Sequence, residues 1–171
     1  MKERTGLTTM KGNPLTLLGD EIRIEQSAPD AVLVANDLSE VKLSSFKGKK
    51  VLLSVVPSLD TGICDIQTKR FNSEAAKLGA DVVIVTVSMD LPFAQKRWCG
   101  AAGVKQVTTL SDHRDAAFGL AYGILIKGLR LLARSIFVVD SKGILQYTEL
   151  VKEVTTEPNY AAALEAVKKI K

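Results

Sequence analysis

Val51-Leu52-Leu53-Ser54-Val55-Val56-Pro57-Ser58-Leu59-Asp60-Thr61-Gly62-Ile63-Cys64 joins two different patterns. Residues 51–56 are an apolar run of strand type. From Cys64 onward, residues 64, 71, 75 and 78 fall on one helical face. A strand therefore hands over to a helix, and Cys64 sits at the hand-over. The first helical turn carries N–H groups with no internal partner and the positive end of the macrodipole. Thiols placed there ionise readily, and the thiolate is the nucleophile. The Thr61 hydroxyl, three residues earlier, can point at the same spot. Taken singly, Thr61 also reads as a plain N-cap and Pro57 as a strand-ending residue.

The alternation continues on both sides. Leu7–Met10 and Leu15–Leu18 flank Lys11-Gly12-Asn13-Pro14 and predict a hairpin with Gly-Asn as its turn. Ala31–Ala35 predicts a strand, and Lys50–Val56 a buried one. The helix from Cys64 is expected to end at Gly79, a C′ glycine. Val82–Val87 predicts a central strand covered on both faces. Asp90 and Pro92 mark a helix that passes Phe93 and Trp98, reaches Cys99 and is broken by Gly100 and Gly103. Val107–Leu110 is a short strand and Asp115–Tyr122 a short helix. Ile136–Asp140 and Ile144–Tyr147 flank Ser141-Lys142-Gly143 as a second hairpin, and Pro158 opens a last helix that runs to Lys171. This order fits an α/β sandwich around a mixed sheet.

The 171 residues suit one domain, 1–171, with a single substantial core. No apolar stretch approaches the roughly 18–20 residues of a membrane span. Met1-Lys2-Glu3-Arg4-Thr5-Gly6 lacks the apolar core of a secretion signal, so a cytoplasmic location is expected. The net charge of +4 is mild. Lys47, Lys49 and Lys50, and Lys168, Lys169 and Lys171, read as solvated lysines in a loop and at a helix C-terminus. No aromatics interleave them, which argues against nucleic-acid binding. Two cysteines do not make a disulfide scaffold. With one histidine, His113, in a polar turn read as surface, a zinc site lacks ligands, and no metal or cofactor is expected.

Pro57-x-x-x-Thr61-x-x-Cys64 resembles the peroxidatic motif of the peroxiredoxins. The wider text is similar to their thiol peroxidase branch. The matching pieces are Gly12-Asn13-Pro14, Pro57 to Cys64, Arg70-Phe71-Asn72, Asp90 to Gln95, Cys99-Gly100, Ala133-Arg134 and Thr156-Glu157-Pro158. They span nearly the whole chain. The resemblance implies a thioredoxin-like fold with an extra N-terminal hairpin, and reduction of hydrogen peroxide and alkyl hydroperoxides. It implies Cys64 as the peroxidatic cysteine, oxidised to a sulfenic acid, and Cys99 as the resolving cysteine of an intrachain disulfide. It also implies recycling by thioredoxin, a homodimer, and Arg134 as the cation beside the thiolate.

Magnitudes show what such a site must supply. An ordinary thiol, with a pKa of about 8.5, is a few per cent ionised at neutral pH, so complete ionisation accelerates attack at most about thirtyfold. The larger contribution must come from stabilising charge as the O–O bond breaks. The candidate donors are Thr61, the N–H groups near Ile63 and Cys64, and Arg134, with Pro57 shielding the sulfur. Between Cys64 and Cys99 lie 34 residues, which excludes a Cys-x-x-Cys site. The two sulfurs belong to different predicted helices, so a disulfide requires both segments to unwind locally. Trp98, beside Cys99, would report that motion. Asp65 adjoins Cys64 where a smaller residue is expected, and Asp60 has no role readable from sequence. The residues alone also admit a thiol redox sensor without rapid turnover, a thioredoxin-fold reductase, or a structural domain with inert thiols.

Overall fold

Pattern and structure agree on the scaffold. The computed structural model describes residues 1–170. It opens with the expected hairpin, β1 (Glu3–Met10) and β2 (Asn13–Leu18). Its turn falls one residue earlier than expected. Lys11 and Gly12, at φ 51° and 79°, are the central pair, and Met10 faces Asn13. Two positive φ values make a turn whose twist matches the strands. Lysine is a poor residue for it, and the Glu153 carboxylate compensates by accepting from the N–H groups of Lys11 and Gly12 at 2.9 and 3.0 Å.

The remaining elements are β3 (Val32–Val34), β4 (Glu40–Lys42), a 3-10 turn (Leu43–Phe46), β5 (Lys50–Val55), α1 (Gly62–Ala75), β6 (Val82–Ser88), α2 (Pro92–Ala102), β7 (Thr108–Ser111), α3 (Ala117–Ala121), β8 (Leu125–Ile126), β9 (Ser135–Val139), β10 (Leu145–Leu150) and α4 (Tyr160–Lys169). The sequence reading missed β4 and β8. Both are too short to display a period, and β4 carries charges at both ends. The expectation that α1 ends at Gly79 is also corrected. The helix stops at Ala75, and i→i−3 bonds from Lys77 to Glu74 and from Leu78 to Ala75 tighten the exit. Gly79 lies in the loop beyond and does not adopt the left-handed backbone of a C′ glycine. In α2, Gly100 is helical, and Gly103 alone ends the helix, at φ 66°. Asn159, not Pro158, caps α4, its side chain accepting from Ala162 N at 3.0 Å. Lys171, the expected end of that helix, lies outside the described residues.

The central sheet is mixed and has the order β10-β9-β5-β6-β7-β3-β4. β5, β6 and β7 are parallel, and β9 joins β5 antiparallel. β1, β2 and β8 form a separate small sheet. Strand alternation divides the core into two layers. Val51, Leu53, Val55, Val85, Val87 and Phe137 face one layer with Phe118 and Tyr122. Leu52, Ile84, Ile136 and Val138 face the other, against Phe71 of α1 and Ala163 and Val167 of α4. Covered on both faces, β5 and β9 have almost no polar residues to alternate, as expected for the centre of such a sandwich. This is the α/β sandwich that the sequence pattern predicted, with the thioredoxin-like arrangement that the resemblance implied. It fixes the C-terminal end of β5 and the first turn of α1 side by side.

Candidate active site

β5 ends at Val55, and the buried Pro57, which has no N–H to donate to a ladder, follows two residues later. The loop then runs to Thr61 at the N-cap of α1, with extended backbone (φ −104°, ψ 147°). Thr61 makes no side-chain cap. Its hydroxyl lies 2.6 Å from Cys64 Sγ and 3.1 Å from Ser58 O. Cys64 is fully buried, in the first turn of α1, packed with Val56, Leu59 and Trp98. Arg134, 2% exposed, enters from the segment before β9, and its Nη2 is 3.3 Å from Cys64 Sγ. The other two guanidinium nitrogens are also engaged: Nη1 donates to Gln67 Oε1 at 2.7 Å and Nε to Val154 O at 2.8 Å.

A sulfur held this way sits where negative charge is favoured. One hydroxyl and one guanidinium converge on it in the first turn of a helix, at the positive end of the dipole. Among the described residues no carboxylate pairs with Arg134, whose donors go to the sulfur and two neutral oxygens. The Asp65 carboxylate turns away to Lys69 Nζ at 2.9 Å along the helix surface.

Two supporting residues escaped the sequence reading. Gln67, one turn after Cys64 on the buried face, accepts from Arg134 and donates to Ser54 Oγ at 2.8 Å. Its i+3 spacing from Cys64 puts it on the same helical face, but no local signal announces the contact with Arg134, 67 positions away. Asp90, read as a helix start, instead pins the loop. Its carboxylate accepts from Ser58 Oγ and Leu59 N at 2.7 Å and from Ser88 Oγ at 2.8 Å. Asp60 has a partner too, Arg97 Nη2 at 3.7 Å, between two exposed side chains.

Cys99 stands apart. It is a free, half-buried thiol on α2, with Sγ 3.6 Å from Thr109 Oγ1, and Cys64 is likewise free. It lines a cleft of about 370 Å³ with Ala35, Asn36 and Thr109. The connection between the two thiols is Trp98, which packs on the Cys64 cluster. His113, read as a surface residue, is half-buried, its Nδ1 2.8 Å from Ser111 Oγ. Among the described residues no group of three His, Cys, Asp or Glu is placed to hold a metal. No helix there is long and apolar enough to cross a membrane.

The family model for Redoxin matches residues 23–164. The chain is 56% identical, over 160 residues, to a thiol peroxidase of Bacillus subtilis strain 168, covering 94% of this chain and 95% of that one. It belongs to the thiol peroxidases of the Redoxin family. A thiol peroxidase of Listeria innocua is 54% identical over 161 residues, 94% of this chain and 97% of the relative. Among solved structures, a peroxiredoxin-like protein from Aquifex aeolicus superposes with a TM-score of 0.90 at 42% identity, covering 97% of this chain and 96% of that one. A thiol peroxidase from Chromobacterium violaceum shares the fold at a TM-score of 0.84 and 19% identity, covering 95% of each chain. This thiol peroxidase is therefore a peroxiredoxin-type enzyme that reduces peroxides, and the sensor, reductase and inert-domain alternatives fall away.

Proposed function

We propose that Cys64 is the peroxidatic cysteine of this enzyme and Cys99 its resolving cysteine. The observation that carries the reading is the convergence of Thr61 Oγ1 and Arg134 Nη2 on one buried sulfur at a helix N-terminus. The Cys64 thiolate attacks one oxygen of a hydroperoxide. An S–O bond forms, the O–O bond breaks, and the departing oxygen takes up a proton to leave as alcohol or water. Arg134 and Thr61 stabilise the charge that passes onto that oxygen. Pro57 keeps bulk water from the sulfur.

Cys64 is left as a sulfenic acid. The Cys99 sulfur then attacks the sulfenic sulfur, an S–S bond forms and the S–O bond breaks, and the proton given up by the Cys99 thiol leaves with the sulfenic hydroxyl as water. Thioredoxin, a dithiol, reopens the bond by exchange and is itself oxidised to a disulfide. The Cα atoms of a disulfide lie within about 7 Å, so the segments at Cys64 and Cys99 unwind to meet. The packing supports this for α2, where Pro92 and Gln95 are the fully buried side chains and the half around Cys99 is shallow. Segments with few buried contacts open at low free energy.

In this reading residues 1–171 act as one domain, in a cytoplasmic homodimer. The test is one equivalent of hydrogen peroxide followed by non-reducing electrophoresis and peptide mapping. A Cys64–Cys99 peptide that Cys64→Ser abolishes supports the cycle, and a parent enzyme that consumes peroxide without that crosslink refutes the resolving role.

A further inference from the structure

The orientation of Arg134 depends on a loop that contains no part of the thiol site. A guanidinium is planar, so its Nε and Nη1 bonds together aim Nη2. Gln67, the Nη1 partner, shares α1 with Cys64, but the Nε partner is the carbonyl of Val154, in the loop after β10.

That loop is held by the N-terminal hairpin. Val154 N donates to Thr9 O and Thr9 N to Lys152 O, both at 2.8 Å. The buried Thr8 hydroxyl donates to Val151 O at 2.8 Å. Between these bonds sits Glu153. Its carboxylate accepts from Thr9 Oγ1 at 2.7 Å, Lys11 N at 2.9 Å, Gly12 N at 3.0 Å, Thr155 N at 3.1 Å and Thr155 Oγ1 at 2.6 Å. One side chain thus closes the hairpin turn and fastens it to the loop. Lys11, at φ 51°, needs that closure, because residues other than glycine rarely hold such a backbone.

We infer that Glu153 is a positioning residue for Arg134, and that the N-terminal hairpin serves the reaction through it. Glu153 bonds to neither Arg134 nor Cys64. It acts through the Val154 carbonyl, whose amide it keeps in register with Thr9. Released, the turn N–H groups go to water, the Thr9–Val154 pairing frays, and Nη2 loses its aim at the sulfur. The inference rests on the reading that Arg134 serves Cys64.

The experiment compares two rates at Cys64, at a pH high enough that the thiol is fully ionised in every variant. Hydrogen peroxide needs Arg134 in place as the O–O bond breaks, whereas alkylation by iodoacetamide needs the thiolate alone. Arg134→Met anchors the scale by lowering the peroxide-to-alkylation ratio. Glu153→Gln keeps the shape but turns an amide NH2 toward N–H donors, and Glu153→Ala removes the clasp. Both are expected to lower the ratio about tenfold or more, in line with the loss expected when a catalytic group shifts by ångström distances. Glu149→Ala, on β10 four residues before Glu153, removes an acceptor of Asn159 N and is expected to reduce Tm without moving the ratio. A ratio within twofold of the parent in both Glu153 variants, with Arg134→Met still lowering it, overturns the inference alone. A ratio unmoved by Arg134→Met overturns the reading beneath it as well.

Discussion

Thr61 occupies the N-cap of α1 yet directs its hydroxyl to Cys64 Sγ, 2.6 Å away, and leaves the helix N–H groups uncapped. A capping threonine contributes typically about 1 kcal/mol to stability. Thr61→Val should therefore change Tm little while lowering the second-order rate with hydrogen peroxide by about a hundredfold, the scale of a lost oxyanion donor. Thr61→Ser should retain most of the rate. Stopped-flow kinetics beside thermal melts separate the two effects, and a valine variant that melts early but reacts normally would identify Thr61 as an ordinary cap.

Arg134→Lys is a severe change at this position. One ammonium cannot reach Cys64, Gln67 and Val154 together as the planar fork does. Each buried acceptor left unpaired costs about 1–3 kcal/mol. A fall in Tm of several degrees, together with at least a hundredfold loss of peroxidase rate, is expected from calorimetry and steady-state assays.

Asp90 ties the Cys64 loop to the entry of α2 through Ser58, Leu59 and Ser88. Asp90→Ala should free that loop. The expected result is slower reaction with peroxide, because Cys64 is less well held, but faster disulfide formation once the sulfenic acid exists. Trp98, packed on the Cys64 cluster, supplies the signal: its fluorescence should change in two phases after peroxide, and Cys99→Ser should remove the second. A single phase indifferent to Cys99 would refute the unwinding.

Hydrogen bonds from Thr155, Gly12 and Thr9 hold the Glu153 carboxyl well below the usual carboxylate range. The folded value lies below the unfolded one, so the stabilisation is present above the unfolded value of about 4.3 and fades as pH falls. The Tm gap between the parent and Glu153→Gln should be widest near neutrality and should narrow on acidification toward pH 3. A gap that grows in acid would contradict these contacts.

The sandwich was legible because β5, β6 and β9 are continuous apolar runs with Gly, Pro and Asp at their ends. β4 and β8 were not, since three- and two-residue strands take their shape from neighbours rather than from a period. The hairpin turn slipped by one residue because Glu153, 141 positions from Gly12, stabilises a Lys-Gly pair that local preference would not choose. At the site, the spacing of Thr61 and Cys64 was local and readable, and the family likeness nominated Arg134. Gln67 and Asp90 act through contacts across 67 and 31 positions, which neither composition nor spacing displays.

Among the described residues no carboxylate pairs with Arg134, and this bears on the proposed oxidised form. In the proposed cycle the sulfur 3.3 Å from Arg134 Nη2 would be its counter-ion whenever Cys64 is a thiolate. A disulfide carries no charge, so closing it would leave a guanidinium, 2% exposed, facing two uncharged oxygens. A stranded interior cation is unfavourable. If the proposed disulfide forms, the cation would lose its opposite charge, and reduction of that bond would restore it.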